Sequence, residues 1–287
     1  MTTNYDQAER IITLLLQAPT IAKQTKQPKQ DKWKTAAINF YGAGEDGTAT
    51  SEDINGNMRF NRVWCPIWQE YAPKDQVAAA HIIPHLLSTK VTSYLLGSPS
   101  EEEDMWSVRN CLPMSKELEL GMDKGYFVLV PVGGTRTTAV TNYQYRLVDE
   151  SVRKTCIARG KTTWGDFDNR VLLFKNDNRP AGRYLYLRFV LTILSAREMK
   201  WKGWNDTWKF QTGTVWGTPS RWIRKSFLKQ IAASISDYSL PEELEEGTFG
   251  EDEAPATPRL NPIDEATLVD MFTAQRSRIR LGEANGE

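Results

Sequence analysis

The order of apolar and polar positions along the chain predicts short strands separated by turns, with helices at several places. Four short runs that are apolar or alternate with a period of two predict strands, at 62–66, 77–83, 126–132 and 137–149. The run 183–199 is too long for a strand and stays apolar until its charged end, so it predicts a buried helix. Residues 5–17 and 33–41 predict two further helices. This mixture is typical of an α+β protein.

Polar and proline-containing segments predict the remaining connections and helices. Ser115, followed by Glu117, has the residue types of a helix start, so a helix is expected within 106–121, at least from Ser115 onwards. Loops or connectors are expected at 19–34, 42–57 and 239–262, and helices at 220–236 and 262–281. The last helix is amphipathic. Its apolar side is expected to dock in cis or onto a second subunit, which would form a homo-oligomer.

The composition is that of a globular protein, with 40% hydrophobic and 25% charged residues. Lysine and arginine number 36, as do aspartate and glutamate, so the basic excess typical of dedicated nucleic-acid binders is missing. No apolar run is long enough for a membrane helix. The N-terminus lacks the basic region and apolar core of a secretory signal. We therefore expect no membrane contact and an intracellular location, in the cytoplasm or the nucleus.

The three cysteines stand far apart and form no CxxC pair. This spacing gives neither a disulfide framework nor a zinc knuckle, so reduced thiols are expected. Cys65 and Cys111 lie in apolar surroundings and are expected to be small buried residues.

The residues that suggest chemistry lie in two segments. The first, 78–85, holds both histidines of the chain, His81 and His85. The second begins at Asn110 and continues to Glu119 and Asp123. Imidazole has an unperturbed pKa near neutrality, so a histidine suits general acid–base catalysis. Glu119 and Asp123 are four residues apart, so they share one face of the predicted helix.

Each of these residues also has a structural interpretation. His81 sits in an apolar run, where a histidine is usually structural. Three roles are open for His85: a second ligand, a proton donor or a surface residue. Asn110 has the chemistry of a cap or a turn residue, and Glu119 that of a solvated helix position. Asp123 precedes Lys124 and a glycine, so a role at the end of a helix is favoured for it.

The motifs around these residues resemble the HNH endonuclease domain. The similarity lies in RVWCP at 62–66, AAHIIPH at 79–85 and the segment from Asn110 to Phe127. It is greatest to the version in large fungal HNH-nuclease-domain proteins, and blocks at 179–186 and 216–226 are similar to that fungal family as well.

The resemblance implies a ββα-metal core embedded in a larger mixed helical and β domain. It implies that His81 is the general base, that Asn110 is the orienting residue and that Glu119 occupies the place of the final histidine of the motif. Glu119 and Asp123 would then bind Mg²⁺ or another divalent metal. Ala80 departs from the pattern, because many HNH nucleases carry a metal ligand immediately before the general base. The metal site is therefore degenerate, and a site without any metal remains an alternative.

The predicted organisation has four parts. These are an N-terminal helical segment and loop at 1–57, the HNH-like core at 58–135, a family-specific α+β extension at 136–238, and an acidic linker with a C-terminal helix at 239–287.

Three functions remain open. The first is a metal-dependent phosphodiester hydrolase acting on nucleic acid. The second is an HNH-fold enzyme of isomerase, cyclase or lyase type in fungal specialised-metabolite biosynthesis, with His81 as the acid–base group and no metal. The third is an inactive binding module. The tryptophan-rich basic segment 201–216 suits stacking on single-stranded nucleic acid, the wall of a small-molecule pocket, or packing on the core.

Overall fold

Three helices lie within the part of the chain that the computed structural model describes. That part comprises residues 28–52, 55–83, 96, 105–132, 142–157, 160–198, 201, 223–225 and 248–249. The helices are α1 (Pro28–Phe40), α2 (Lys116–Asp123) and α3 (Gly182–Glu198). The described residues also form ten short strands, which associate in pairs. The α+β class predicted from the sequence is confirmed.

Four of the strand pairs are antiparallel and link neighbours along the chain. These pairs are β1 (Ala49–Glu52) with β2 (Met58–Phe60), β3 (Arg62–Cys65) with β4 (Glu70–Pro73), β5 (Val77–His81) with β6 (Cys111–Ser115), and β7 (Phe127–Val132) with β8 (Asn142–Leu147). The fifth pair is parallel and joins β9 (Ile223–Arg224) to β10 (Thr248–Phe249).

The unit β5–β6–α2 is the ββα arrangement that the resemblance predicted. The register runs from Val77 opposite Ser115 to His81 opposite Cys111. The chain passes from β6 directly into α2, where the Ser115 Oγ accepts a hydrogen bond from the Leu118 amide at 3.3 Å. This cap satisfies one of the amide donors that the first turn of any helix leaves without a partner.

One face of α2 packs into the main hydrophobic core. Leu118 and Met122 are fully or almost fully buried there. Between them lies Gly121, where an added Cβ would stand 2.2 Å from Cη2 of Trp164. Glycine therefore lets the indole of Trp164 lie directly against the helix backbone. This packing fixes the rotation of α2 and hence the side on which Glu119 and Asp123 lie.

Helix α3 is buried on all sides over most of its length, as its apolar sequence predicts. Every residue from Tyr184 to Ile193 is buried, and the helix packs mainly on β7. Strand β8 alternates as expected, with Tyr143, Tyr145 and Leu147 buried. A single hydrophobic cluster joins α2, β7, β8 and α3, so residues from the predicted segments 58–135 and 136–238 share one core.

Two predicted loops contain regular structure. The expected connector 19–34 is wrong from Pro28 onwards, because α1 begins there, with proline in the first turn where its missing N–H costs nothing. Trp33 and Ala37, one turn apart, bury this helix against the β5–β6 unit. The expected loop 42–57 contains β1, whose backbone bonds to β2.

One predicted helix is confirmed at its start and another is partly wrong. The helix expected at least from Ser115 begins at Lys116 with Ser115 as its cap, and residues 111–115 before it form a strand. Pairing with β5 satisfies the backbone of this segment, which local propensity alone does not foresee. Ile223 and Arg224, expected within the helix 220–236, are extended and pair with β10. Thr248 and Phe249, which form β10, fall in the expected acidic linker.

Several predicted elements lie outside the described residues. These include the N-terminal helix 5–17 and the amphipathic helix 262–281 with its proposed docking side. Of the tryptophans between 201 and 216, Trp201 is described, and it packs on the main core. Among the described helices none is both long and apolar enough to cross a membrane.

Candidate active site

His81 ends strand β5 and is the centre of the candidate site. Its register partner is Cys111, and directly paired residues project their side chains on the same face of a strand pair. The imidazole is half-buried, and its Nε2 atom is fully buried. The neighbouring Ala80 is completely buried and belongs to the main core with Leu112, so it points to the opposite face.

Two tryptophans contact the imidazole of His81. The Trp33 ring, from α1, stacks on it with centroids 3.9 Å apart and an angle of 21° between the planes. The Trp106 ring meets it edge to face at 5.6 Å and 79°. The two indoles are themselves perpendicular, with centroids 5.7 Å apart. Trp33 thus covers one face of the imidazole, and Trp106 lies beside the two stacked rings.

Asn110 is fully buried and ties together the two ends of the segment between β5 and β6. Its Oδ1 accepts a hydrogen bond from the Ile83 amide at 2.9 Å, and its Nδ2 donates to the Met105 carbonyl at 3.1 Å. Its own carbonyl accepts from the Ile82 amide at 3.1 Å. Asn110 therefore fixes the backbone that follows His81. Through this backbone it restricts the position of His81.

Glu119 and Asp123 lie one turn apart on α2. Burial raises the pKa of Glu119 from its ordinary value to about 7, and the charge of Asp123 adds to the effect. Lys34 and Lys116 oppose this rise. Burial first, and then the charge of Glu119, raise the pKa of the Cys111 thiol well above its usual value. The carboxyl group therefore acts electrostatically on the strand position that pairs with His81.

Arg188 of α3 holds the second carboxylate. The guanidinium is buried, donates to Asp123 Oδ1 at 3.2 Å and also donates to the Met122 carbonyl. Burial raises the pKa of Asp123, while Arg188 opposes the rise by its charge and its hydrogen bond. An ionised carboxylate is thus stabilised at the end of α2 by a helix that lies far along the chain.

The predicted metal ligands can be compared with what a divalent cation requires. In the described part of the chain, no three His, Cys, Asp or Glu side chains gather closely enough to hold a metal ion together. Glu119 and Asp123 carry carboxylate oxygens, the donor type of Mg²⁺, which commonly takes one or two carboxylates and completes its shell with water and substrate phosphates. Burial raises the pKa of both groups, and a cation would offset that cost of ionisation. Asp123 would then contact both the cation and Arg188.

The structure thus brings His81 and Asn110 to adjacent ends of the paired strands and places Glu119 and Asp123 on the following helix. His85 lies outside the described residues. Cys65 and Cys111 are buried, as the sequence predicted. No sequence pattern indicated that Trp33 contacts His81, because the two residues are far apart along the chain. Arg188 offered a weak signal, because a single charge inside an apolar helix requires a buried partner.

The comparisons with known proteins agree with this geometry. Residues 65–130 match the family model described as HNH endonuclease. The matched segment contains β5, β6, α2 and the four described candidate residues. No curated protein and no solved structure matches the chain. The resemblance of the motifs is confirmed for this segment, and residues 65–130 are similar to the HNH endonuclease domain.

Proposed function

We propose that the protein is a phosphodiester hydrolase that cleaves nucleic acid, with His81 as its general base. The observation that carries the proposal is the bonding of Asn110 to the backbone of Ile82 and Ile83, immediately after His81. This bonding fixes the end of β5 relative to β6 within the ββα unit. It is the arrangement that an orienting asparagine next to a catalytic histidine requires.

In the proposed reaction, the imidazole of His81 removes a proton from a water molecule that attacks phosphorus. Asn110 holds the strand end, and Trp33 and Trp106 restrict the orientation of the ring. Glu119 and Asp123 would hold a divalent cation, which when bound neutralises charge on the phosphate oxygens. Arg109 and Lys116 are exposed at the two ends of β6, and their charges suit contact with a phosphate backbone.

The test is cleavage of supercoiled plasmid by the purified chain in the presence of Mg²⁺ or Mn²⁺. His81→Ala and His81→Gln are both expected to lose about 10²–10⁴-fold in rate, which is the contribution of a general base. Lys154→Ala, at an exposed position, is the matched control and should cleave at the wild-type rate. Cleavage that persists in both folded His81 variants would overturn the proposal, because a contaminating nuclease or another residue would then be responsible.

The aromatic contacts favour a second candidate function. Trp33 covers one face of the imidazole and Nε2 is buried, as in a pocket for a small molecule rather than an open groove for a duplex. In this case His81 would be the acid–base group of an enzyme of specialised metabolism that needs no metal. The chain would then leave plasmid intact. In a fungal metabolite extract, it would consume a compound that His81→Ala does not consume.

A further inference from the structure

The contact between Trp33 and His81 links the segment that matches the family model to a helix outside that segment. His81 lies within the matched segment 65–130, whereas Trp33 lies on α1, which precedes it. The rings are nearly parallel, with centroids 3.9 Å apart. At this distance the indole is in direct contact with one face of the imidazole.

Helix α1 and the following residue, Tyr41, are hydrogen-bonded to the ββα unit and to backbone next to it. The Trp33 Nε1 donates to the Ser107 carbonyl at 3.2 Å, so the indole is held at its edge as well as by its face. The Tyr41 hydroxyl donates to the Cys111 carbonyl at 2.8 Å, at the residue that pairs with His81. Lys34 donates to the Lys74 carbonyl at 3.1 Å and also to the Val77 carbonyl, at the opposite end of β5.

These bonds limit the rotation of the imidazole in a specific way. A histidine at a strand end can ordinarily turn about its Cα–Cβ and Cβ–Cγ bonds. The Trp33 face blocks movement on one side of the ring plane, and Trp106, beside the two stacked rings, limits movement at the edge of the imidazole. Trp33 is almost fully buried, with 6% of its surface exposed, so its own ring has little freedom to follow.

We propose that Trp33 is a positioning residue for His81, so that the catalytic unit includes helix α1 in addition to the matched domain. The stacked indole holds the imidazole in the one orientation from which it can take a proton from water. The inference rests on the proposed function, because the reaction that His81 would catalyse is part of that function. The orientation of the imidazole itself can be measured without any reaction.

The first test compares substitutions that keep or remove the aromatic face. Trp33→Phe retains a ring over His81, whereas Trp33→Leu and Trp33→Met retain apolar volume without one. The two aliphatic variants should lose about 10- to 100-fold in kcat, as expected when a catalytic group is misplaced by about an ångström, with KM changed less than about twofold. Trp33→Phe should stay within about threefold of the wild-type kcat. Having two aliphatic variants keeps the test available if one of them fails to fold.

The second test observes the imidazole directly and does not depend on cleavage. The chain has two histidines, so the nitrogen signals of His81 can be assigned as those missing in His81→Ala. Wild type and Trp33→Phe should each give one narrow set of imidazole signals. The aliphatic variants should give broadened or multiple signals, because the ring then samples several rotamers. If wild type fails to cleave but shows this pattern, the nuclease function falls and the positioning role stands.

Trp64 provides the matched control. Trp33 is buried and Trp64 is half-buried. As in Trp33, the Nε1 of Trp64 donates to a backbone carbonyl, that of Leu173 at 2.7 Å. It packs on Tyr71 in the β3–β4 pair, and no ring contact joins it to His81. Trp64→Leu should leave kcat and the His81 signals unchanged.

Three results would overturn the inference. One is an aliphatic variant that folds, keeps its kcat and keeps narrow His81 signals. Another is an equal loss of kcat in Trp33→Phe and Trp33→Leu, since the aromatic face would then be irrelevant. The third is faster cleavage in the aliphatic variants, which would show that Trp33 covers the site and blocks it.

Discussion

The side chain of Asn110 accepts a hydrogen bond from the backbone amide of Ile83, at 2.9 Å and in a fully buried position. Ile83 is two residues beyond His81, and the Ile82 amide between them donates to the carbonyl of the same asparagine. An asparagine can satisfy this amide and also donate to the Met105 carbonyl, because its side chain carries both an acceptor and two donors. Neither an aspartate nor an alanine offers both.

The first prediction concerns the stability that Asn110 provides. Asn110→Ala leaves the Ile83 amide and the Met105 carbonyl buried without these partners, at about 1–3 kcal/mol for each group. We expect the free energy of unfolding to fall by about 2–6 kcal/mol, the sum for the two groups. Urea denaturation followed by circular dichroism measures it. Asn178→Ala, at an exposed position, is the control and should change stability by less than about 1 kcal/mol. A loss of similar size in both variants would contradict the prediction.

The second prediction concerns the pH dependence that Glu119 creates. Its pKa is raised from 4.5 to about 7 in the folded chain, so the folded state holds a proton that the unfolded state releases at lower pH. Its contribution to stability is therefore fully present below about pH 4.5 and is lost as the pH rises to about 7. Over this window, wild type should lose on the order of 3 kcal/mol relative to Glu119→Gln.

This comparison is made by denaturation of both proteins between pH 4.5 and 8 with a chelator present. The glutamine variant keeps the size of the side chain and removes its titration. Other groups titrate in both proteins, so their contributions largely cancel in the difference between wild type and variant. A constant difference between wild type and variant across the window would show that Glu119 does not ionise there.

The third prediction concerns cation binding by Glu119 and Asp123. A ligand that binds only the folded state stabilises it by about 2.7 kcal/mol at one hundred times its dissociation constant. At pH 7.5, Mg²⁺ or Mn²⁺ should therefore raise the melting temperature of wild type. Glu119→Gln, which replaces an anionic oxygen ligand with an amide, should reduce the rise. NaCl at equal ionic strength controls for screening. An identical rise in the variant would exclude Glu119 as a ligand.

The fourth prediction concerns the pair formed by Arg188 and Asp123. Arg188→Met fills the space but leaves the carboxylate of Asp123 and the carbonyl of Met122 without the guanidinium. Arg188 is buried but the Asp123 side chain is 35% exposed, so we expect the free energy of unfolding to fall by about 2–3 kcal/mol, less than for a fully buried ion pair. Arg183→Met, at a half-buried position near the start of the same helix, should cost clearly less.

A second substitution distinguishes the ion pair from simple packing. In Arg188→Met combined with Asp123→Asn, the charge left uncompensated by the first change is removed. The double variant should recover part of the lost stability. No recovery would mean that the contacts of the arginine stem in the core, rather than its charge, account for the loss.

The sequence could predict much of the local structure at the site. Alternation and apolar runs located β5, β7 and β8, and the residue types at Ser115 located the start of α2. The spacing of Glu119 and Asp123 placed them on one helical face, since that depends only on the helical repeat. The family motif identified His81 and Asn110 as a pair, and the match over 65–130 supports the domain they belong to.

Contacts between distant segments were beyond the reach of these patterns. Local patterns did not locate the strand β6, because its pairing with β5 is a tertiary interaction. Likewise, the local sequence of α1 does not predict the contact between Trp33 and His81. The residues around Asp123 do not predict its hydrogen bond with Arg188. Periodicity and propensity act over a few residues, so the sequence by itself determined which groups are present and on which faces of their elements they lie. Packing acts between elements, so only the tertiary structure decided which aromatic ring covers the histidine and which cation holds the carboxylate.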